Sequence, residues 1–207
     1  MLTVLKELKE HFRFTFSGAV IAVLAMFLIR MMFPGFLSRE VAHQLFGFSH
    51  PLHVVLSAFV TSTIFSNYQQ SDKKTWWGYL SVFLIGYVGS IGIATLSDCI
   101  VPYWGELFLG LENAQPHIGI IETPIIINLA AILGIGLSFF FKKETHFSHA
   151  SHVLVSTAAS LFHVMQAQSG SFGVFQSLFI ALFLFLAVWL PCCFSDIVFP
   201  LLFIKKK

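Results

Sequence analysis

Two pairs of histidines spaced i, i+3, His50 with His53 and His149 with His152, are the side chains in this sequence best suited to chemistry. Imidazoles at that spacing project to one side of a helix and can share a cation, and imidazole suits zinc, iron, nickel and copper. Each pair opens a polar stripe. At about 100° per residue, His149, His152, Ser156, Ser160 and His163 fall within roughly an 80° sector. His50, His53, Ser57 and Thr61 reproduce the first four members, while Ile64 stands where a counterpart of His163 would be. A lone histidine more often caps a helix or bonds backbone in a core. A duplicated pair in an apolar chain favours a ligand or a proton relay, because ionisable groups in membrane spans are costly and usually functional.

The carboxylates follow the same pattern. Asp98 and Asp196 stand in Ser-Asp runs followed by Pro102 and Pro200. Proline cannot continue the hydrogen-bond ladder, so the spacing predicts that each aspartate closes a helix. There it opposes the helix dipole and calls for a cationic partner: a histidine, a metal ion or a passing proton. His117 and Glu122 form a further candidate outer site. Glu122 falls about five residues into an apolar run, with Arg30 as its expected salt partner, whereas Glu106 and Glu112 read as solvated loop residues. Cys192 and Cys193 are secondary ligand candidates, and Cys99 reads as a small buried residue. Placed on opposite sides of the membrane, the three cysteines make no disulfide framework. His11, His43 and His146 read as interface or loop residues.

The elements that must position these groups are membrane helices. Of 207 residues, 57% are hydrophobic and 11% charged, with a mean hydropathy of +0.82. A cytosolic globular domain carries more than twice that charge, about 25%. Six apolar segments emerge, at about 14–33, 52–65, 76–96, 118–141, 153–165 and 174–190, the second and fifth short for a bilayer crossing. Residues 1–13 form a charged lead with Leu2, Leu5, Leu8 and Phe12 on one face, suited to a short interfacial helix.

Alternate assignment of the loops puts Lys6, Lys9, Arg13, Lys73, Lys74, Lys142, Lys143, Lys205, Lys206 and Lys207 on one side and only Arg30 and Arg39 on the other. That asymmetry predicts an inner (cytoplasmic) membrane protein with both termini in the cytoplasm. The basic residues do not cluster on one element, so nucleic acid is not an expected partner. The bilayer is, and a homodimer is compatible with so small a bundle. Nucleotide, hydrolase and metalloprotease fingerprints are absent from the sequence, so ATP-driven transport by this chain alone is not expected.

The motifs recur. Phe48-Ser49-His50-Pro51-Leu52-His53 matches Phe147-Ser148-His149-Ala150-Ser151-His152 at an offset of 99, and Ser97-Asp98 with Pro102 matches Ser195-Asp196 with Pro200 at an offset of 98. Two polar motifs in one order at nearly one offset indicate tandem duplication. A unit of three spans is odd, so its second copy enters from the opposite side. The expected fold is therefore all-α and polytopic, with six transmembrane helices built as two inverted-topology three-helix repeats. Repeat 1 takes residues 14–102, an outer connecting loop 103–117, and repeat 2 residues 118–207.

The segment Leu190-Pro191-Cys192-Cys193-Phe194-Ser195-Asp196, with Pro200 beyond it, resembles motifs in the repeat units of bacterial and archaeal manganese or heavy-metal exporter permeases. The likeness covers about a dozen residues in each half and implies metal handling. It does not extend to the His-x-x-His element. Residues and resemblance together lead to a secondary transporter or exporter of a divalent transition metal (Zn, Mn, Fe, Ni or Co), coupled to protons, favoured over an enzyme. Its half-sites would lie near opposite membrane faces, His50, His53 and Asp98 outside, His149, His152 and Asp196 inside. Secondary candidates are His117, Glu122, Ser57, Thr61, Ser156, Ser160, His163, Cys192 and Cys193. The alternatives are a membrane redox or metal-dependent enzyme using the same histidines, for example to ligate haem, and a small-molecule or lipid permease with a His/Asp proton relay.

Overall fold

The structure, a computed structural model, describes residues 12, 15–25, 28, 32, 38–69, 75–141, 146–167, 173–193 and 199–203; the side chains of 146–149, 193 and 201 lie outside that description. Among the described residues every regular element is helical. In chain order they are α1 (Thr15–Ala25), α2 (Arg39–Tyr68), α3 (Trp76–Thr95), a π-helical turn (Leu96–Ile100), α4 (Val101–Leu109), α5 (Gly119–Glu122), α6 (Pro124–Phe140), α7 (His146–Gln166), α8 (Val174–Cys193) and α9 (Phe199–Leu202).

Among the described residues three stretches are long and apolar enough to cross a bilayer: α2, the continuous run Trp76–Leu109, and Val174–Cys192. The burial pattern is that of a membrane protein. On α6 the residues turned inward are Ile127, Ala130, Ala131, Gly134, Ile135 and Ser138. Its outer face is more apolar still, with Ile125 74% and Phe140 82% exposed. Meanwhile Ser49, His50, His53, Ser57, Thr61, Ser62 and Thr63 of α2 are all buried. A polar interior inside an apolar exterior is stable where lipid, and not water, is the solvent.

α2 is the central element, packed against α7, α6 and α3. The Ser38 side chain caps it, accepting the Val41 N–H at 3.3 Å. With 30 residues it is about 45 Å long, much longer than the segment 52–65 read from hydropathy. Polar residues at both ends and along the buried stripe shorten the apolar signal without interrupting the helix. α7, 21 residues long, likewise extends past both ends of 153–165.

A glycine lets α6 approach α2 closely, and another sits at ordinary contact distance from α7. A β-carbon on Gly134 of α6 would stand 2.2 Å from the Val55 carbonyl oxygen and 2.7 Å from Ala58 Cβ, both on α2. One on Gly18 of α1 would stand 3.6 Å from Thr157 Oγ1 on α7.

The third span does not stop at Asp98 or Pro102. The helix runs from Trp76 to Leu109 through the π-turn, and residues 103–109, expected in a loop, continue it. Proline lacks an N–H and its ring crowds the carbonyl four residues back. Here the Val101 N–H reaches the Leu96 carbonyl, five residues back, so in the widened register Pro102 falls opposite the Ser97 carbonyl. Ser160 Oγ of α7 lies 3.1 Å from that carbonyl and 2.9 Å from its own helix's Ser156 carbonyl, so its single proton serves both acceptors in turn. A donor from another helix thus stands in for the missing N–H, and Pro102 serves as a first-turn residue of α4. Gly110, at φ +63°, ends the run.

Candidate metal centre

α2 carries His50 and His53 inward, and the π-turn carries Ser97 and Asp98 toward them. His50 Nδ1 and His53 Nδ1 both donate to Asp98 Oδ2, at 2.9 and 2.7 Å. Ser97 Oγ and Ser156 Oγ donate to Oδ1, at 2.7 and 3.1 Å. Four donors fill the four lone-pair positions of an ionised carboxylate, so Asp98, fully buried, is satisfied without water. In place of an aspartate opposing a helix end stands an aspartate within a continuous helix, at a local widening that turns it onto two histidines. π-turns inside α-helices are frequent at functional sites.

With Nδ1 committed to Asp98, His53 presents Nε2 to the opposite side. His152 of α7 meets it there, Nε2 to Nε2 at 2.7 Å. One proton lies between the two nitrogens, since each neutral imidazole carries a single N–H. Cys192 Sγ of α8 lies 4.0 Å from His152 Nε2 and 3.8 Å from Ser156 Oγ. His53 Nε2, His152 Nε2 and Cys192 Sγ lie within 4.8 Å of one another, all buried. Metal bonds of about 2.0–2.3 Å place tetrahedral donors roughly 3.3–3.6 Å apart. The 2.7 and 4.0 Å separations bracket that spacing, so small side-chain shifts would admit an ion in place of the proton. The Asp98 carboxylate behind His53 is the outer-shell partner that metal-bound histidines commonly have.

The expected residues are therefore brought together differently from the sequence reading. His53 and His152, assigned to half-sites on opposite sides, touch each other because α2 and α7 pack side by side. His50 belongs to the same network, but its Nε2 is buried without a partner, and a β-carbon on Gly119 would come within 2.5 Å of it. Ser57 and Thr61 continue the buried stripe along α2, and Ser57 Oγ is unpartnered. Ser156 and Ser160 both reach the π-turn, and Ser156 also meets Cys192 Sγ. Asp196, Arg30 and His11 lie outside the described residues, as do the side chains of His146, His149 and Cys193. Cys99 and Cys192 are both buried.

A second polar cluster lies toward the ends of α4 and α7. His163, completely buried, pairs through Nδ1 with Glu106 Oε1 at 2.7 Å. Glu106, expected to be solvated, is 1% exposed. Glu122 lies nearer the surface than its place in the apolar run suggests, yet it meets His117, the other member of the candidate outer site. It ends the short α5 before α6 begins, is 45% exposed, and pairs with His117 at 3.2 Å. His43 Nδ1 bonds Gln166 Oε1 at 2.9 Å. The overlooked signal for Glu106 was Pro102 itself, read as a helix stop although proline also favours a first helical turn.

Comparison with protein-family models, with curated proteins and with solved structures finds no match to this chain. Function must therefore be argued from the site.

Proposed function

We propose that this protein is a proton-coupled secondary transporter of a divalent transition-metal ion, which binds between His53, His152 and Cys192 with Asp98 orienting His53. The observation carrying this reading is the 2.7 Å contact between His53 Nε2 and His152 Nε2 in a fully buried position. Two imidazoles aimed at one point beside a thiol make a site for a borderline-soft ion such as Zn, Fe, Co or Ni, with Mn, a harder ion, less suited.

The repeat reading deepens this. His53 and His152 are 99 residues apart, the offset of the duplicated motif. Ala58 and Thr157 are related by the same offset, and they are the residues approached by Gly134 of α6 and Gly18 of α1. The first helix of each unit thus packs on the second helix of the other, and equivalent histidines meet between them. Such an exchange supports two inverted three-span units about a pseudo-two-fold axis, with one ion site at their contact in place of two half-sites. Alternating access would then rock one unit against the other around a fixed site. The positive charge distribution supports an inner-membrane location with both termini in the cytoplasm.

Haem ligation fits less well. His53 and His152 leave no slot for a macrocycle at 2.7 Å, and both nitrogens of His163 are engaged, by Glu106 and the Pro116 carbonyl.

The test is uptake of Zn, Mn, Fe, Co and Ni by proteoliposomes containing the wild type, His53→Ala or His152→Ala. We expect uptake of at least one ion, lost in both variants, with bound metal in the purified wild type by elemental analysis. Uptake of every ion unchanged by both substitutions overturns the reading.

A further inference from the structure

The Glu106–His163 pair takes no part in the metal centre, and its hydrogen bonds fix its proton inventory. His163 Nε2 faces the Pro116 carbonyl at 3.2 Å, and Nδ1 faces Glu106 Oε1 at 2.7 Å. A carbonyl only accepts, so Nε2 carries a hydrogen. The short Nδ1–Oε1 contact then holds one further proton, either as imidazolium with carboxylate or as neutral imidazole with carboxylic acid. In both forms the pair is net neutral. Glu106 Oε2 is buried and meets no donor from the protein, an acceptor costly to leave unmet.

On one side of the pair titratable groups lead toward solvent, and on the other an aromatic ring separates it from the metal centre. His117 packs edge-on against His163, ring centroids 5.5 Å apart, and joins Glu122, which is 45% exposed. His43 of α2 lies 6.0 Å from His117, ring to ring. Toward the interior the Phe46 ring sits between the two networks, 5.4 Å from His163 and 5.2 Å from His50. α8 closes the remaining side near α4 with Phe183, against Gly105, and carries no charged residue.

On the transport reading above, we propose that Glu106 and His163 form a separate proton-loading site for the coupling ion. One proton arrives through Glu122 and His117 and binds at Glu106 Oε2, taking the pair from net charge zero to plus one. No covalent bond between heavy atoms changes. Phe46 keeps this proton apart from the one shared by His53 and His152.

The decisive measurement is pH-difference infrared spectroscopy of the whole protein in lipid. We expect a protonated-carboxyl band that grows on acidification, is absent in Glu106→Gln, and persists in His163→Gln with a displaced midpoint. A spectrum in which Glu106→Gln removes no titrating band, or His163→Gln leaves the midpoint in place, overturns the assignment. In proteoliposomes with a pH-sensitive dye, metal-driven proton movement should disappear in Glu106→Gln while Co(II) binding to that variant stays at the wild-type level. Proton movement retained in Glu106→Gln overturns the coupling role. A wild type that moves no metal overturns the transport reading and that role with it, and the infrared titration still decides whether the pair loads a proton.

Discussion

Asp98 Oδ2 accepts the Nδ1–H of His53 at 2.7 Å, and this bond aims His53 Nε2 at His152. Orientation, tautomer and basicity of the ion-facing nitrogen all follow from one buried carboxylate. Asp98→Asn leaves a single acceptor oxygen among four donors and adds an amide donor of its own. We expect a loss of about 3 kcal/mol in stability, as when one partner of a buried charged pair is removed. Metal affinity should fall roughly 10- to 100-fold, as for other outer-shell substitutions. Thermal unfolding in detergent and a metal-binding isotherm check the two effects separately, and wild-type affinity in the variant would disprove the orienting role.

Two glycines on α6 should respond to the same substitution with opposite sign. Gly134→Ala puts a methyl 2.2 Å from the Val55 carbonyl oxygen, whereas Gly136→Ala meets nothing within 4 Å. The first must push α6 off α2, and we expect about 1–3 kcal/mol of destabilisation, typical of overpacking. The second only replaces a glycine within a helix and should gain about 0.5–1 kcal/mol. Melting temperatures of the two variants, compared with wild type, test the packing of α6 on α2 directly.

His117 lies between the spans and should make stability depend on pH. Burial, with the neighbouring His163, lowers its proton affinity, outweighing the attraction of Glu122 and Glu106. Its folded-state value therefore lies below the ordinary histidine value of about 6.5. The unfolded chain takes up the proton first as pH falls, so stability is fully present above about 6.5 and declines below it until the folded-state value is passed. His117→Asn, which tolerates the φ of +36° at this position, should flatten that decline. Melting temperature against pH for both proteins is the measurement, and parallel curves would assign the titration to another group.

The sequence disclosed the individual stripes better than their meeting. His50, His53, Ser57 and Thr61 are buried on one helix, as helical spacing requires. Periodicity, however, reports a face within a helix and not which face opposes it. The His53–His152 contact depends on α2 packing against α7, which no spacing encodes. Glu106 and Glu122 depart from the sequence reading for two different local reasons. Pro102 reads as an end, which puts Glu106 outside, although a π-turn and the Ser160 hydroxyl accommodate it; Glu122 sits in an apolar run that breaks at Thr123 before α6 begins. A donor supplied by a different helix is a tertiary fact, invisible to local rules.

The accommodation of Pro102 yields the sharpest separation of stability from function. Pro102→Ala restores an N–H at position 102 and removes the ring that crowds the Asp98 carbonyl. The π-turn then has no steric reason to persist, and relaxing to α-helical register rotates the segment before it relative to α4. Helix formation itself improves, by less than the ~3 kcal/mol that separates alanine from proline in a helix interior. The Ser160 bond to the Ser97 carbonyl and the donors around Asp98 are disturbed in exchange. We therefore expect an unchanged or raised melting temperature together with weakened metal binding. A lowered melting temperature with intact metal affinity would mean that Pro102 stabilises the helix and that the π-turn does not depend on it.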